Sequence, residues 1–77
     1  MSKLPIITAK KFEKVLLNLG FKKIRQKGSH VFYRHPDGRY TTVPHHQGED
    51  IGMSLTREIL KEISLSPEEF KEQLKKV

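Results

Sequence analysis

Two short turns divide residues 21–43 into three segments and force the chain to reverse direction twice. The first turn is the pair Gly28-Ser29. The second is His35-Pro36-Asp37-Gly38, in which proline fixes φ at the second position while aspartate and glycine tolerate the remaining tight geometry. Short segments between such turns are typical of antiparallel strands. We therefore predict a three-stranded antiparallel meander with strands at 21–27, 30–34 and 40–43.

The middle strand has two chemically different faces. Because side chains alternate along a strand, one face of 30–34 carries Val31 and Tyr33, and the other carries the remaining three residues. The rings of Phe32, Tyr33 and Tyr40 would suit the stacking of single-stranded bases on an aromatic sheet. The alternation instead favours a core position under the helices for most of these rings.

An amphipathic helix precedes the strands. Over residues 9–19, apolar side chains recur with the spacing i, i+3, i+4, i+7 that is typical of a half-buried helix: Phe12, Val15, Leu16 and Leu19. Thr8 can cap the start of this helix, and Gly20 can close its end. We therefore expect the first helix to pack one face against the sheet.

Two further helical segments follow the strands. One spans 55–63, with Ser54 as a possible cap and an apolar stripe of Leu55, Ile59 and Ile63. The other begins at Ser66-Pro67-Glu68-Glu69, which provides an N-cap, a proline at the first helical position and the glutamate of a capping box. Leu65 and Phe70 stand where a hydrophobic staple would pair them.

These elements predict one domain over residues 1–77, in the order α-β-β-β-α with a short C-terminal helix. A polar loop over 45–50 joins the sheet to the second helix. Helices on one face of a small antiparallel sheet form a two-layer sandwich. The predicted fold class is therefore α+β.

Composition supports a folded domain and excludes several protein classes. Val, Ile, Leu and Phe account for 22 of 77 residues, which exceeds the fraction of about 20% below which chains tend to be disordered. The absence of cysteine excludes a disulfide-stapled miniprotein and a cysteine-ligated zinc module. No apolar run has membrane-spanning length, and the first residues lack the apolar region of a signal peptide. We expect a cytoplasmic protein with no membrane partner.

Positive charge is concentrated in the first part of the chain. Residues 1–47 contain ten Lys or Arg and two acidic residues, whereas residues 48–77 contain five basic and seven acidic ones. This distribution suits binding to a polyanion such as nucleic acid. The alternative is a soluble basic protein without such a partner, which would have the same balance of basic and acidic residues.

Lys10 and Lys11 lie in the first helical turn, where unpaired backbone N–H groups make a phosphate-binding corner. The alternative is that they are solvated surface lysines.

His30 is the strongest catalytic candidate, because the chain has no cysteine nucleophile, no glycine-rich phosphate loop and no His-Glu-x-x-His motif. It opens a strand directly after Lys27-Gly28-Ser29, which supplies a cation, a flexible backbone and a hydroxyl donor. An imidazole exchanges protons near neutral pH, as RNA cleavage requires, and Lys27, Arg25 and Arg34 could stabilise the phosphorane. The alternative is a partly exposed polar residue without a catalytic role.

The other histidines carry weaker signals. His45-His46 could be a metal-binding pair, but adjacent histidines in a loop are insufficient without further ligands, for which His30 is the candidate. His35 is better explained as part of the turn. We predict no metal and no small-molecule cofactor.

The order and spacing of several short motifs resemble the HicA toxin family over nearly the whole chain. The most specific part is Gly28-Ser29-His30 after a basic strand, followed by the Pro-Asp-Gly turn and by Val43-Pro44 with His46. The other matching segments are Leu19-Gly20-Phe21, Arg25-Gln26-Lys27, Arg34-His35, Arg39, Ile59-Leu60-Lys61 and Leu65-Ser66.

The resemblance implies a fold like that of double-stranded-RNA-binding domains, α-β-β-β-α. It also implies a ribosome-independent mRNA interferase that is paired with a HicB-type antitoxin. The family's catalytic histidine falls on His30, with Gly28 and Ser29 as motif neighbours, and His46 matches a position with a supporting or structural role. Relatives often have Gly-Thr and an apolar residue where this chain has Ser54-Leu55-Thr56, which affects local packing more than chemistry.

The sequence thus predicts a toxin that cleaves mRNA without metal, with His30 transferring a proton. Lys27 and Arg25 would contact phosphate, and Ser29 would position the strand or contact substrate. The second proton-transfer partner is open among Lys27, a substrate group and water. Two alternatives remain: a non-catalytic RNA-binding module of the same fold, and an interaction protein whose basic face meets an acidic partner.

Overall fold

The computed structural model describes residues 4–46 and 49–77, and within these ranges the chain forms five strands and three helices. The elements are β1 (Ile7–Thr8), α1 (Ala9–Asn18), β2 (Lys22–Lys27), β3 (His30–Arg34), β4 (Tyr40–Pro44), β5 (Asp50–Ile51), α2 (Met53–Glu62) and α3 (Pro67–Lys76). A three-stranded antiparallel sheet in the order β2-β3-β4 follows α1 and precedes α2 and α3. The predicted α+β class and order of elements are confirmed.

The three-stranded sheet is built from two hairpins and contains one irregularity. Lys27 pairs with His30 across the Gly28-Ser29 connection, as the sequence predicts. The register of β2 shifts between Lys23, which lies opposite Tyr33, and Arg25, which lies opposite Phe32. This β-bulge places Lys23 on the same face as Tyr33 and turns Arg25 to the opposite face.

The helices cover one face of this sheet. α1 packs against β2 and β4, α2 packs against β4, and α3 packs against both helices. The covered face carries Val31, Tyr33, Thr41 and Val43, all of them almost fully buried. Burying a large apolar side chain contributes roughly 1.5–3 kcal/mol, so this layer is the main source of stability. The rings of Phe12 and Phe70 meet within it at 5.1 Å between centroids.

The start of each helix follows local sequence signals in two cases out of three. The Thr8 hydroxyl accepts a hydrogen bond from the Lys11 N–H at 3.1 Å, which confirms the predicted cap of α1. Ser66 and Glu69 form the predicted capping box of α3, with hydrogen bonds of 3.0 and 3.1 Å. The prediction of Ser54 as the cap of α2 was wrong, because Gly52 is the N-cap.

A second, two-stranded sheet explains the earlier start of α2. β1 pairs with β5 through Ile7 opposite Ile51 and Thr8 opposite Asp50. Since Ile51 is buried and tied to β1, the chain turns immediately after it and α2 begins at Met53. The predicted polar loop over 45–50 therefore ends in a short strand. Gln47 and Gly48 of that loop, like the first three residues of the chain, lie outside the described residues.

α1 ends in a Schellman motif, with glycine in the left-handed conformation. The N–H of Phe21 donates to the carbonyl of Leu16 at 3.0 Å, and Gly20 has φ of 102°. A β-carbon at Gly20 would stand 3.0 Å from Nε2 of His35. Glycine is therefore required at this position both by the backbone and by the neighbouring ring, as the sequence predicts for the end of this helix.

α2 ends in the same motif but with a serine in the left-handed position. The N–H of Leu65 donates to the carbonyl of Leu60 at 2.9 Å, and Ser64 has φ of 55°. A residue with a β-carbon is strained in this conformation. Ser64 is thus a local weak point of the fold.

Across the described residues, no helix combines the length and apolar character needed to cross a membrane.

The two Schellman motifs give a matched pair of stability predictions. Ser64→Gly should raise the free energy of unfolding by about 1 kcal/mol, because it removes the strain of a left-handed L-residue. Gly20→Ala should lower the free energy of unfolding by about 1–3 kcal/mol, because it creates that strain and crowds His35. Urea unfolding would measure both changes in the free energy of unfolding, with the dependence of that free energy on urea concentration expected to be the same in each variant as in the wild type. A loss of stability in Ser64→Gly would contradict this account of the motif.

Candidate active site and nucleic-acid interface

The uncovered face of the three-stranded sheet carries four of the predicted site residues, Arg25, Lys27, His30 and Arg34, and the predicted Gly28-Ser29 turn adjoins it. The strand register places nine side chains there. They are Lys22, Arg25, Lys27, His30, Phe32, Arg34, Tyr40, Thr42 and Pro44. Four of the nine are basic and none is acidic, so this open face is a cationic surface without internal neutralisation.

His30 lies at one end of the open face, as the first residue of β3. Its neighbours across the sheet are Lys27 on β2 and Pro44 on β4. The His30 side chain is exposed and lines an open groove of about 430 Å³ between β4 and α2. The same groove is lined by His46 and by Glu58. The fold therefore brings two imidazoles and the carboxylates of Glu58 and Glu62 to one depression at the edge of the open face.

A short backbone hydrogen bond holds the two histidine-bearing segments together. The N–H of His45 donates to the carbonyl of Ser29 at 2.6 Å. Ser29 precedes His30, and His45 precedes His46, so this bond and the pairing of His30 with Pro44 set the relative position of the two segments. The Gly28-Ser29 turn is thus anchored on both sides, by the β2–β3 hairpin and by the segment that follows β4.

A partly buried chain of polar side chains, which begins at the buried Tyr33, orients His45 away from the groove. The Tyr33 hydroxyl donates to the Glu13 carboxylate, and its oxygen lies 3.0 Å from Nε2 of His45, which must then donate to it. Lys23 completes the chain at 3.6 Å from Glu13. Burial, reinforced by the bonded Glu13 carboxylate, raises the pKa of Tyr33 well above its usual value. Burial also lowers the pKa of His45, so this imidazole is held in its neutral form.

His45 and His46 therefore lie in different surroundings. His45 packs its ring beside Tyr33, with 6.4 Å between centroids, while His46 is exposed and lines the groove. Among residues 4–46 and 49–77, no three histidine, aspartate or glutamate side chains come together in a way that could hold a metal ion.

His35 serves the turn that follows β3, as predicted. Its Nε2 donates to the carbonyl of Leu19 at 3.1 Å, and its Nδ1 accepts from the Asp37 N–H at 3.1 Å. The ring packs edge-on against Phe21 at 5.0 Å. Hydrogen bonds from the backbone and side chain of Arg39 hold the pKa of Asp37 below its usual range. The imidazole of His35 thus joins the end of α1 to the turn.

The two lysines of the first helical turn lie apart from the open face. Lys11 donates through Nζ to the Val77 carbonyl at 2.8 Å, so it joins α1 to the end of the described chain. Lys10 is exposed and lines a second depression together with His45, His46 and Asp50. His46 lies on the boundary of both depressions, which connects Lys10 with the groove that contains His30.

Two features of this surface were not predicted. Phe32 and Tyr40 lie on the open face, so the expectation of a core position was correct for Tyr33 and wrong for the other two rings. The physical reason is that only one face of the sheet is covered. The carboxylates of Glu58 and Glu62 also line the groove; their i, i+4 spacing on one helix face was the available signal.

The buried state of His45 predicts a pH dependence of stability. Its pKa in the folded protein lies below its ordinary value of about 6.5, so the unfolded chain binds more protons as the pH falls through that value. The free energy of unfolding should therefore decrease below about pH 6.5. His45→Gln should flatten this decrease, because it removes the group whose pKa the fold lowers. Denaturant unfolding at several pH values would measure the slope, and equal slopes in both proteins would contradict the prediction.

Comparisons with known proteins agree with this geometry. A search of curated proteins gave no match. The family model for the HicA toxin of bacterial toxin-antitoxin systems matches residues 9–65 of the 77-residue chain. The match spans α1, the whole three-stranded sheet and α2, and includes His30 and every other residue of the open face. This chain therefore belongs to the HicA toxin family.

Proposed function

We propose that this protein is the toxin of a type II toxin–antitoxin system and acts as a ribosome-independent mRNA interferase. The observation that carries the proposal is the position of His30, an exposed imidazole at the end of a basic sheet face and inside a groove that holds a second histidine. Membership of the HicA family supports the role of a toxin. The reaction assigned to it is metal-free cleavage of mRNA in the cytoplasm.

The proposed reaction needs two proton transfers and charge stabilisation. The ribose 2′-hydroxyl loses a proton as its oxygen attacks the adjacent phosphorus. The bond to the 5′-oxygen breaks, and that oxygen gains a proton, which leaves a 2′,3′-cyclic phosphate and a 5′-hydroxyl. An imidazole near neutral pH suits either transfer, and we assign one of them to His30.

His46 is the proposed partner for the second proton. It lines the same groove as His30, and its segment is tied to the turn that carries His30 through the hydrogen bond between His45 and Ser29. Two imidazoles on opposite sides of a phosphate can act as base and acid in one turnover. This assignment replaces the open choice among Lys27, a substrate group and water.

The phosphate contacts are assigned to the cations nearest His30. Lys27 pairs with His30 across the hairpin, and Arg25 lies on the same face two residues earlier in β2. Both side chains are exposed, and neither forms an ion pair with another described residue, so their charges are available to a phosphodiester. Gly28 and Ser29 keep the hairpin backbone close to the scissile group. Arg34 would contact an RNA phosphate farther along the open face, and Lys10 one in the depression that it lines with His46. Lys11 would contact a phosphate only after releasing the Val77 carbonyl.

The family also implies an antitoxin partner, for which we propose a HicB-type protein. The open face has a net positive charge, so an antitoxin that covers His30 must offer acidic groups to it and compete with RNA for the same cations. Neutralising this face would explain inhibition without any change of the toxin's fold.

The first test is His30→Ala. Cleavage of a long RNA should fall by about 10²- to 10⁴-fold, because one proton transfer loses its group. The wild-type activity should persist in EDTA, and the variant should keep its melting temperature and no longer arrest growth. Added imidazole should restore part of the cleavage.

Cleavage by neither protein, with RNA binding retained in both, would establish the non-catalytic RNA-binding module instead. Equal cleavage by wild type and His30→Ala would exclude His30 as the catalytic residue. Both the ribonuclease and the RNA-binding module should lose RNA affinity steeply as the salt concentration rises. A protein without this steep salt dependence of RNA binding would instead be one that binds only an acidic partner.

The second test is His46→Gln, which removes the imidazole and keeps a polar side chain. With two histidines acting as base and acid, the pH profile of kcat/KM for the wild type should be bell-shaped, and His46→Gln should lose one limb and at least about tenfold in rate. RNA affinity and melting temperature should not change. An unaltered pH profile with full activity would show that His46 takes no part in proton transfer.

A further inference from the structure

The open face carries two aromatic rings that the proposed chemistry does not use. The rings of Phe32 and Tyr40 lie side by side, with 6.1 Å between centroids and an angle of 44° between their planes. The guanidinium carbon of Arg25 lies 4.5 Å from the centroid of Phe32. Tyr40 is 43% exposed, and the described helices pack on the opposite face, which carries the buried side chains of the sheet. We call Arg25, Phe32 and Tyr40 the stacking cluster.

The packing of the sheet gives these rings no core to fill. Tyr33, on the opposite side of the same strand, is fully buried, while Phe32 is only half-buried between Arg25 and Tyr40. The β-bulge in β2 interrupts regular pairing and is what turns Arg25 onto the face of Phe32. A planar guanidinium and two rings are thus gathered on the solvent side of the sheet. Because the guanidinium lies on the ring of Phe32, the surfaces open to a ligand are the outer side of the guanidinium and the exposed part of Tyr40.

The stacking cluster lies beside the proposed catalytic residue. Phe32 is two residues from His30 on the same strand and the same face. Two strand residues span about 6.5 Å, which is close to the length of one nucleotide in an extended strand. A nucleotide whose phosphate lies at His30 would therefore place a neighbouring base at the stacking cluster, against the guanidinium that lies on Phe32 or against Tyr40.

We propose that the stacking cluster binds an unpaired base next to the scissile phosphate, so that the protein selects single-stranded RNA. Stacking on a side chain requires a free base face, which bases inside a duplex do not offer. Lys22, Arg25 and Arg34 surround the rings with positive charge that complements the backbone of such a strand. This inference deepens the proposed function and rests on RNA being the ligand.

The inference differs from what the fold resemblance alone suggests. Domains of the double-stranded-RNA-binding type recognise the shape of a duplex through phosphate and ribose contacts, without stacking of bases. The open face of this sheet is instead arranged as a stacking platform with flanking cations, which is the general arrangement of single-strand binding surfaces. Strand preference is therefore the property that separates the two.

The experiment measures binding in a His30→Ala background, so that the RNA is not cut. The probes are a fluorescein-labelled RNA of about 12 nucleotides without self-complementarity and the same strand annealed to its complement. Phe32→Leu and Tyr40→Leu should each weaken binding of the single strand by about tenfold or more, because stacking of a base on an aromatic ring is lost. Tyr40→Phe should keep the affinity.

Ile24→Ala is the matched control, because Ile24 is an exposed apolar residue of the same sheet, 48% accessible, and has no aromatic ring. It should bind RNA like the parent. In the leucine variants the slope of affinity against salt should stay unchanged, since the phosphate contacts remain. Melting temperatures of all variants report whether each protein is folded, and Tyr40→Phe rescue separates loss of the ring from loss of packing.

Two results would overturn the inference: unchanged single-strand affinity in folded leucine variants, or tighter binding of the duplex than of the single strand. Leucine variants that keep RNA binding but no longer bind a co-purified antitoxin would assign the cluster to that partner and also overturn it. Failure of the proposed function has a different signature. If wild type cleaves no RNA while the leucine variants lose single-strand binding, the stacking site stands and the ribonuclease assignment falls.

Discussion

The helices cover only one face of the three-stranded sheet. This constraint determines which side chains of the sheet form the core and which remain on the open face. A chain of 77 residues has too little apolar material to bury a sheet on both sides. Alternation along β3 then sorts side chains into two sets, with Val31 and Tyr33 in the core and His30 and Phe32 in solvent. The same strand that supports the core thus presents the candidate catalytic group.

The core also positions the groove. Tyr33 is the largest fully buried side chain, and its hydroxyl binds Glu13 and His45 from inside the protein. His45 in turn holds the carbonyl of Ser29 through its backbone N–H. One buried tyrosine is therefore linked by two successive contacts to both segments that carry the groove histidines. These hydrogen bonds hold the two segments of the groove in place, and each polar group in the series has a partner.

Local signals in the sequence were sufficient for most of the architecture. The capping box at Ser66, the cap at Thr8 and the glycine after α1 act over a few residues, so their outcome hardly depends on the rest of the fold. The start of α2 was misjudged because it follows from pairing between β1 and β5, residues that are more than forty positions apart. Two-residue strands have no periodicity from which they could be predicted.

For the candidate site, the order of residues was enough to select His30, Lys27 and the Gly28-Ser29 turn as candidates, because these are neighbours along the chain; they lie within the segment that the family model matches. Three features depended on the tertiary structure. The bulge placed Lys23 and Arg25 on opposite faces, the uncovered sheet left Phe32 half-buried and Tyr40 exposed, and the packing of α2 on β4 brought Glu58 to the groove that His30 and His46 line. Each arises from contacts between residues far apart in sequence, and spacing along the chain carries no information about which face a distant element will cover.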